Sequence, residues 1–252
     1  MLIAANWKLH KTPRESEEFC DKLLSLNWPT ELSVALFPSA LCSGAVSSVL
    51  SRATKAKLQW GPQQVSTEVQ GAFTGENSAR VAAAMGATSC LIGHSERRTL
   101  FHESDLDVRR KVAVALEQSL RPLLCVGETL TERTENRTTQ RLTEQLQAAL
   151  KDLDSTDKLV VAYEPVWAIG TGLVASEAQV GEAHQTIRRQ LSALGFPKSV
   201  PILYGGSVKA ESAGGLARTA EVGGFLVGGA SLAVESFYAI IQASASALGL
   251  QR

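Results

Sequence analysis

Eight short apolar segments recur along the chain, and a longer stretch with helical spacing follows each of them. The segments are apolar at successive rather than alternate positions, which is typical of strands that are covered on both faces of a parallel sheet. Their centres lie about 25 to 40 residues apart, the length of a strand, a crossover helix and two short loops. The predicted strands are Leu2–Ala5, Ser33–Phe37, Ala56–Trp60, Thr88–Ile92, Pro122–Val126, Lys158–Tyr163, Val200–Tyr204 and Gly224–Val227.

Apolar residues in three of the intervening stretches lie on one face of a helix, which indicates helices with one buried side. A capping box, in which Ser176 and Gln179 exchange hydrogen bonds with each other's backbone, predicts the start of the third helix. The stretch after Tyr204 shows only a weak helical pattern. The predicted buried stripes are Leu106, Ala113, Leu116 and Leu120; Leu142, Leu146, Ala149 and Leu150; and Val180, Ala183, Ile187, Leu191 and Leu194.

Eight strand–helix units in a chain of 252 residues favour a (β/α)8 barrel over an open sheet. Such barrels close with eight parallel strands and run to about 250 residues as one unit. No linker, low-complexity tract or change of composition divides the sequence, so we predict a single α/β domain over residues 1–252. Because barrels of this kind carry their chemistry in the loops that follow the strands, polar residues just beyond each predicted strand are the candidates for function.

Charge and cysteine content exclude several classes of protein. Lys and Arg number 25, as do Asp and Glu, so the formal net charge is zero and the basic footprint of a nucleic-acid binder is missing. The longest apolar runs span about five residues, far fewer than the ~20 of a membrane span, and we expect no signal peptide. The cysteines form no CxxC pair, which predicts buried, reduced thiols in a cytoplasmic protein. They are Cys20, Cys42, Cys90 and Cys125.

Polar residues follow the first and fourth predicted strands. Asn6 and Lys8 would lie at the catalytic rim of a barrel, although a turn residue and a solvated charge are the ordinary interpretations. His94 comes directly after Gly93 and begins a segment that can form a helix. The positive end of a helix dipole opposes protonation of an imidazole, and a neutral imidazole can donate an N–H to a substrate carbonyl. The histidines show no ligand spacing with carboxylates or cysteines, so we predict no metal.

Glu164 ends the sixth predicted strand. Pro165 restricts Glu164 to extended backbone, so its side chain projects from the end of the strand rather than from a helix. Partial burial there raises the pKa of a carboxylate and increases its basicity, as a general base requires. A surface carboxylate is the alternative interpretation of this residue.

Glycine pairs follow the last two predicted strands. Gly205–Gly206, followed by Ser207, and Gly228–Gly229 allow the backbone to approach an anion closely and precede helix starts with free N–H groups. Barrels commonly hold phosphate at this position, so the pairs favour a phosphate site, with ordinary turns as the alternative. The apolar segment at residues 165–175 is predicted to close over a ligand as a lid. A loop packed on the barrel rim is the alternative there.

Seven segments together resemble the triosephosphate isomerase family, and they occur in the family's order along nearly the whole chain. The resemblance implies a TIM barrel that interconverts dihydroxyacetone phosphate and glyceraldehyde 3-phosphate without a cofactor. The matching segments are residues 6–8 (Asn-Trp-Lys), 71–76 (Gly-Ala-Phe-Thr-Gly-Glu), 92–98 (Ile-Gly-His-Ser-Glu-Arg-Arg), 125–129 (Cys-Val-Gly-Glu-Thr), 162–172 (Ala-Tyr-Glu-Pro-Val-Trp-Ala-Ile-Gly-Thr-Gly), 204–208 (Tyr-Gly-Gly-Ser-Val) and 226–232 (Leu-Val-Gly-Gly-Ala-Ser-Leu).

The resemblance assigns a role to each candidate. It implies that Glu164 is the base that carries a proton between neighbouring carbons and that His94 is the neutral electrophile, a pairing that this family itself exemplifies. Lys8 is implied to stabilise the charge of the enediolate, and Glu96 to position Lys8. The residues implied to bind the substrate and its phosphate are Asn6, Lys8, Gly170, Ser207, Gly228 and Gly229.

Residues 71–76 resemble a loop that interlocks two subunits in this family. The resemblance therefore implies a homodimer in which Phe73 and Thr74 enter the partner close to its active site. A phenylalanine in a glycine-flanked loop would by itself be only a weak hint of an interface.

Three segments depart from the family's pattern. Leu173–Ala175 stands where Lys-Thr-Ala is usual at the far end of the lid, which bears on how the lid opens rather than on the chemistry. Leu9–His10 replaces Met-Asn, and Gln63–Gln64 replaces Gln-Asn; either change can adjust contacts between subunits.

Two other functions stay open. One is a phosphate-binding barrel in which Lys8 forms a Schiff base, as in an aldolase, although such a lysine usually lies on a strand in the middle of the chain and needs an acid partner. The other is a barrel that binds sugar phosphates or partner proteins without turnover.

Overall fold

The computed structural model describes residues 1–53, 58–169 and 173–250. Within these ranges eight strands alternate with helices, as the apolar segments predict. The first residues of the third predicted strand, 56 and 57, lie outside the described residues. The strands are β1 (Leu2–Asn6), β2 (Ser33–Phe37), β3 (Leu58–Trp60), β4 (Ser89–Ile92), β5 (Arg121–Val126), β6 (Val160–Tyr163), β7 (Ile202–Tyr204) and β8 (Gly224–Val227).

All eight strands belong to one parallel sheet that curls into a barrel. Neighbouring strands follow the order β3-β2-β1-β8-β7-β6-β5-β4. The two ends of this sheet meet, because Thr88 N donates to Trp60 O at 3.0 Å and Leu91 N donates to Pro62 O at 3.0 Å. The predicted (β/α)8 barrel is confirmed, and the carboxyl ends of its strands share one rim.

Helices occupy the connections between the strands. Several of them begin with a reciprocal capping box, including the predicted one between Ser176 and Gln179. The weak pattern after Tyr204 does form a helix. The helices are α1 (Pro13–Leu24), α2 (Ser43–Arg52), α3 (Ala79–Ala84), α4 (Ser95–Leu100), α5 (Asp105–Glu117), α6 (Leu130–Thr134), α7 (Thr138–Leu150), α8 (Glu177–Ala193), α9 (Ala210–Arg218) and α10 (Val234–Ala247).

Two hydrophobic layers explain why the strands are continuously apolar. Seven strands place apolar residues of one face inside the barrel, and β3 contributes none to that layer. The opposite faces of the strands join the larger core formed with the helices. All four cysteines are free and buried, as predicted. The inner layer consists of Leu2, Ala4, Ala35, Phe37, Leu91, Leu123, Cys125, Val160, Ala162, Leu203 and Leu226.

One predicted stripe is wrong in half of its residues: Leu116 and Leu120 do pack on the core, as predicted. Leu106 and Ala113 of α5 are exposed, and the helix instead buries Val108, Val112 and Ala115. The apolar residues of this helix occupy more than one face, so spacing alone cannot tell which face is buried. None of the helices in the described ranges is long and apolar enough to cross a membrane.

Candidate active site

Glu164 lies at the carboxyl end of β6, where its backbone extends the sheet. Its N–H donates to Val126 O of β5 at 2.8 Å, and its side chain is only 2% exposed. Glycines flank this residue because a side chain would not fit. A Cβ on Gly127 would lie 1.7 Å from Glu164 O, and one on Gly205 would lie 3.0 Å from Glu164 Cγ. The strand ends therefore fix the position from which this carboxylate projects.

The Glu164 carboxylate binds the segment that follows β4. Its Oε1 lies 2.9 Å from His94 Nε2, and its Oε2 accepts the Ser95 N–H at 2.8 Å. Burial raises the pKa of Glu164, but His94, the Ser95 N–H and Lys8 together hold that pKa below its ordinary value. Burial therefore acts on Glu164 in the predicted direction, but the contacts outweigh it, so the expected net increase in basicity is not found in this arrangement.

His94 is the N-cap of α4, and its two ring nitrogens have different partners. Nδ1 accepts the Glu96 N–H at 3.2 Å, whereas Nε2 faces Glu164. Burial lowers the pKa of His94, but the adjacent Glu164 carboxylate, with a contribution from Glu96, raises it above its ordinary value. A doubly protonated ring cannot accept a hydrogen bond at Nδ1, so the neutral tautomer with its proton on Nε2 is the form that satisfies both contacts.

Lys8 follows β1 in left-handed backbone, with φ of +51°. The conformation is held by side chains: Lys8 N donates to Asn6 Oδ1 at 3.0 Å, and Gln63 Nε2 donates to Lys8 O at 2.9 Å. The ammonium group then reaches Glu96 Oε1 at 2.5 Å. Asn6, Lys8 and Glu96 therefore come together as the resemblance implies, and Gln63, noted in the sequence only as part of a departure, fixes the turn.

A cavity of about 290 Å³ opens at the carboxyl ends of the strands. Ser207 and both glycines of the pair after β8 line it, whereas Gly170 lies outside the described residues. The exposed Lys209 also lines this cavity. Its position was not predicted, because a single lysine in a loop is ordinarily a solvated surface charge. The residues around the cavity are Asn6, Lys8, His94, Glu164, Ile169, Gly205, Gly206, Ser207, Val208, Lys209, Leu226, Val227, Gly228, Gly229 and Ala230.

Glu128 is a further buried carboxylate beside the predicted lid. Its Oε1 accepts from Trp167 Nε1 at 2.9 Å, Tyr163 Oη at 3.0 Å and Arg133 Nη1 at 3.1 Å, and its backbone oxygen accepts the Val166 N–H at 3.1 Å. Sequence reasoning assigned Glu128 no role, although an acid directly after a buried strand was a usable signal. At the far end of the predicted lid Leu173 and Val174 are exposed.

The predicted dimer loop is exposed throughout residues 71–76. Phe73 is 48% exposed and Phe101 is 64% exposed, and both line one hollow on the surface. Contact between residues 71–76 and a second subunit stays a prediction.

The fold and this cavity define an α/β barrel with a carboxylate, an imidazole and an amine beside glycine-rich loops at one rim. Among the described residues, no group of three or more His, Cys, Asp or Glu side chains could hold a metal ion.

Comparison with known proteins identifies the family. The sequence model described as triosephosphate isomerase matches residues 1–244. The triosephosphate isomerase of Bdellovibrio bacteriovorus is 48% identical over 236 residues, 94% of this chain and 96% of that protein. The enzyme of that name from Pseudomonas aeruginosa is 43% identical over 250 residues, 97% of this chain and 98% of that protein. The chain belongs to the triosephosphate isomerase family, as its motifs indicate.

Proposed function

We propose that this protein interconverts dihydroxyacetone phosphate and D-glyceraldehyde 3-phosphate through an enediolate, with Glu164 as the base, His94 as the neutral electrophile and Lys8 as the electrostatic stabiliser. The observation that carries the proposal is the direct contact of 2.9 Å between His94 Nε2 and Glu164 Oε1 at the wall of the cavity. A carboxylate and an imidazole this close together can both reach one small substrate, whose carbonyl takes the Nε2–H in place of Glu164.

The substrate's phosphate is assigned to the glycine side of the cavity. The N–H groups of Gly228 and Gly229 and the hydroxyl of Ser207 supply donors there, and Asn6 and Lys8 line the same cavity. Backbone donors hold an anion without a fixed positive charge. The implied contribution of Gly170 concerns a residue outside the described ranges.

The reaction needs a base whose strength changes when substrate arrives. A substrate carbonyl that takes the Nε2–H of His94 removes one of the contacts that lower the pKa of Glu164, so that pKa rises relative to the free site. Glu164 takes a proton from the carbon next to the carbonyl, and the bonding electrons form the carbon–carbon double bond of the enediolate. Lys8 offsets the charge on the oxygens, His94 moves a proton between them, and Glu164 returns its proton to the neighbouring carbon.

The ion pair of Lys8 with Glu96 at 2.5 Å favours this role over a Schiff-base function. A Schiff-base lysine must present a free amine to the substrate carbonyl, whereas the Lys8 nitrogen is held by the Glu96 carboxylate. The isomerisation requires no cofactor and no metal.

We also propose that the protein is a cytoplasmic homodimer that acts in glycolysis and gluconeogenesis. The exposed aromatic ring of Phe73, in a loop that includes Thr74, supports an interface at residues 71–76. Four free buried thiols support a reducing compartment.

A coupled turnover assay of the wild type and Glu164→Asp tests the catalytic assignment. Shortening the side chain by one methylene withdraws the carboxylate by about 1 Å, and such a displacement lowers kcat roughly a hundredfold. Glu135→Asp, a change of the same kind at an exposed residue, is the control and keeps wild-type turnover. Equal rates for the wild type and Glu164→Asp would remove Glu164 from the role of base.

A further inference from the structure

Lys11 links the loop after β1 to the turn after β8. It adopts left-handed backbone with φ of +71°, a conformation that is unfavourable for a residue with a side chain. From there its ammonium group crosses to the other loop and donates to Leu232 O at 2.7 Å. Lys11 therefore combines an unfavourable backbone conformation with a side-chain contact that joins two loops at the rim of the active site.

The path of the Lys11 side chain runs over aromatic rings. The ammonium nitrogen lies 5.1 Å from the centre of the Trp7 ring and 4.6 Å from that of Phe19, close enough for cation–π attraction. The two rings pack edge to face with centres 4.9 Å apart. Trp7 is fully buried, and its neighbours in the chain are Asn6 and Lys8. The Lys11 amine is therefore held against the Trp7 and Phe19 rings, which we call the aromatic floor, and Trp7 directly precedes Lys8 in the chain.

The other end of the link is the turn that carries the glycine pair. Gly228 O accepts the Ser231 N–H at 2.8 Å and Ser231 Oγ at 2.7 Å, and Gly229 O accepts the Leu232 N–H at 3.1 Å. These bonds make residues 228–232 one compact turn whose last carbonyl binds Lys11. The turn also packs on Lys8, because a Cβ on Gly228 would lie 3.4 Å from Lys8 Cε.

We propose that Lys11 is a positioning residue for the phosphate subsite: by tying Leu232 O to the aromatic floor, it holds the N–H groups of Gly228 and Gly229 in place beside Lys8. This inference rests on the proposed function, since it concerns the same site. It assigns Lys11 to the binding of the phosphate group rather than to the proton transfers, because Lys11 does not line the cavity.

Steady-state kinetics of Lys11→Met test the proposal. The variant keeps an unbranched chain over the rings but loses the donor to Leu232 O. We expect KM for dihydroxyacetone phosphate and the inhibition constant of inorganic phosphate to rise together, by about fivefold to tenfold, with kcat within twofold of wild type, because binding common to ground and transition states is lost. With D-glyceraldehyde, which has no phosphate, kcat/KM stays unchanged. Lys11→Arg, which restores a cationic donor, recovers most of the affinity for phosphate.

Lys22→Met is the matched control. Lys22 is an exposed lysine of α1 that pairs with Glu235 of α10, and its loss leaves both constants unchanged. The proposal would be overturned if Lys11→Met had the same KM and phosphate inhibition constant as Lys22→Met. It would also be overturned if Lys11→Met lost kcat/KM for D-glyceraldehyde as much as for the phosphorylated substrate. If the wild type isomerised no triose phosphate, the proposed function would fail. The role of Lys11 would still be decided by thermal unfolding: inorganic phosphate should raise the unfolding midpoint of the wild type more than that of Lys11→Met.

Discussion

Two buried histidines show, at the scale of single residues, how neighbours set the charge of an imidazole. His94 lies against the Glu164 carboxylate, which opposes the effect of burial and raises the pKa of His94. His184 in α8 is also buried, but its Nδ1 faces the backbone oxygen of Glu221 at 3.1 Å and its ring packs edge-on against Tyr163. Burial lowers the pKa of His184 to about 4, because the Glu221 oxygen only partly offsets burial. The pKa of a buried imidazole is therefore lowered at one position, where it faces a backbone oxygen, and raised at the other, where it faces a carboxylate.

His184 makes the stability of the protein depend on pH. Its pKa is about 4 in the folded chain against an ordinary 6.5, so the unfolded chain binds more protons between these values. The contribution of neutral His184 to the free energy of unfolding is complete above about pH 6.5. It is lost as the pH falls towards 4, which lowers the free energy of unfolding by roughly 3 kcal/mol. In His184→Gln this part of the decrease disappears, as urea unfolding at pH 7 and pH 5 would measure.

The control for this prediction is His102→Gln, which changes an exposed histidine and keeps the wild-type dependence on pH. A wild-type slope that persists in His184→Gln would assign the effect to other groups. A histidine in the middle of a helix is ordinarily solvated, so helical spacing alone predicts a surface or groove position for His184. Its burial, at 0% exposure, depends on the position of Glu221 in another loop, which helical spacing does not reveal.

At the scale of elements, the strands were easier to predict than the buried faces of the helices. A strand of a parallel barrel is buried on both sides, so a continuous run of apolar residues, such as Val160–Tyr163, is enough to predict it. A helix buries only one side, and α5 carries apolar residues on more than one, which is why Leu106 misled the interpretation. Capping residues gave the start of α8 because they act within one turn of the chain.

Glu128 joins β5 to the first turn of the predicted lid, and its removal tests that connection. In Glu128→Gln the buried carboxylate that Arg133 pairs with is gone, which lowers the free energy of unfolding by about 3 kcal/mol. Because the turn at Val166–Ala168 directly follows Glu164, we expect kcat/KM to fall roughly tenfold through misplacement of the base. Urea unfolding and the turnover assay measure the two effects.

Trp167→Phe separates the parts of this network. It removes only the Nε1 donor to Glu128 while an aromatic ring can stay over Arg133, so we expect a cost of about 1 kcal/mol and a smaller kinetic effect. If Glu128→Gln unfolded and turned over like the wild type, Glu128 would not anchor this turn.

At the scale of the whole molecule, the barrel explains why residues far apart in sequence form one site. Lys8, His94 and Glu164 follow β1, β4 and β6, and a closed parallel barrel brings these strand ends to one rim. This much follows from the pattern of strands. The contacts between loops, such as that of Gln63 with Lys8, depend on side-chain geometry that no spacing in the sequence encodes.

Two exposed phenylalanines allow the proposed dimer to be tested. Phe73 and Phe101 expose large apolar surfaces on one hollow, and their burial in a dimer favours association. In Phe73→Asp a charge would have to lose its water at the interface, so we expect the dimer dissociation constant to rise on the order of a hundredfold or more. Since the loop is implied to reach the partner's active site, turnover per chain falls on dilution and returns at high concentration.

Sedimentation velocity and specific activity over a range of protein concentrations measure both effects. Leu248→Asp is the control, because Leu248 is also exposed but borders a hollow with Leu2 and Gly223 at the amino ends of β1 and β8, at the opposite end of the barrel. A control that also dissociates would indicate a general loss of stability rather than a broken interface. A wild type that sediments as a monomer with full turnover at every concentration would reject the homodimer.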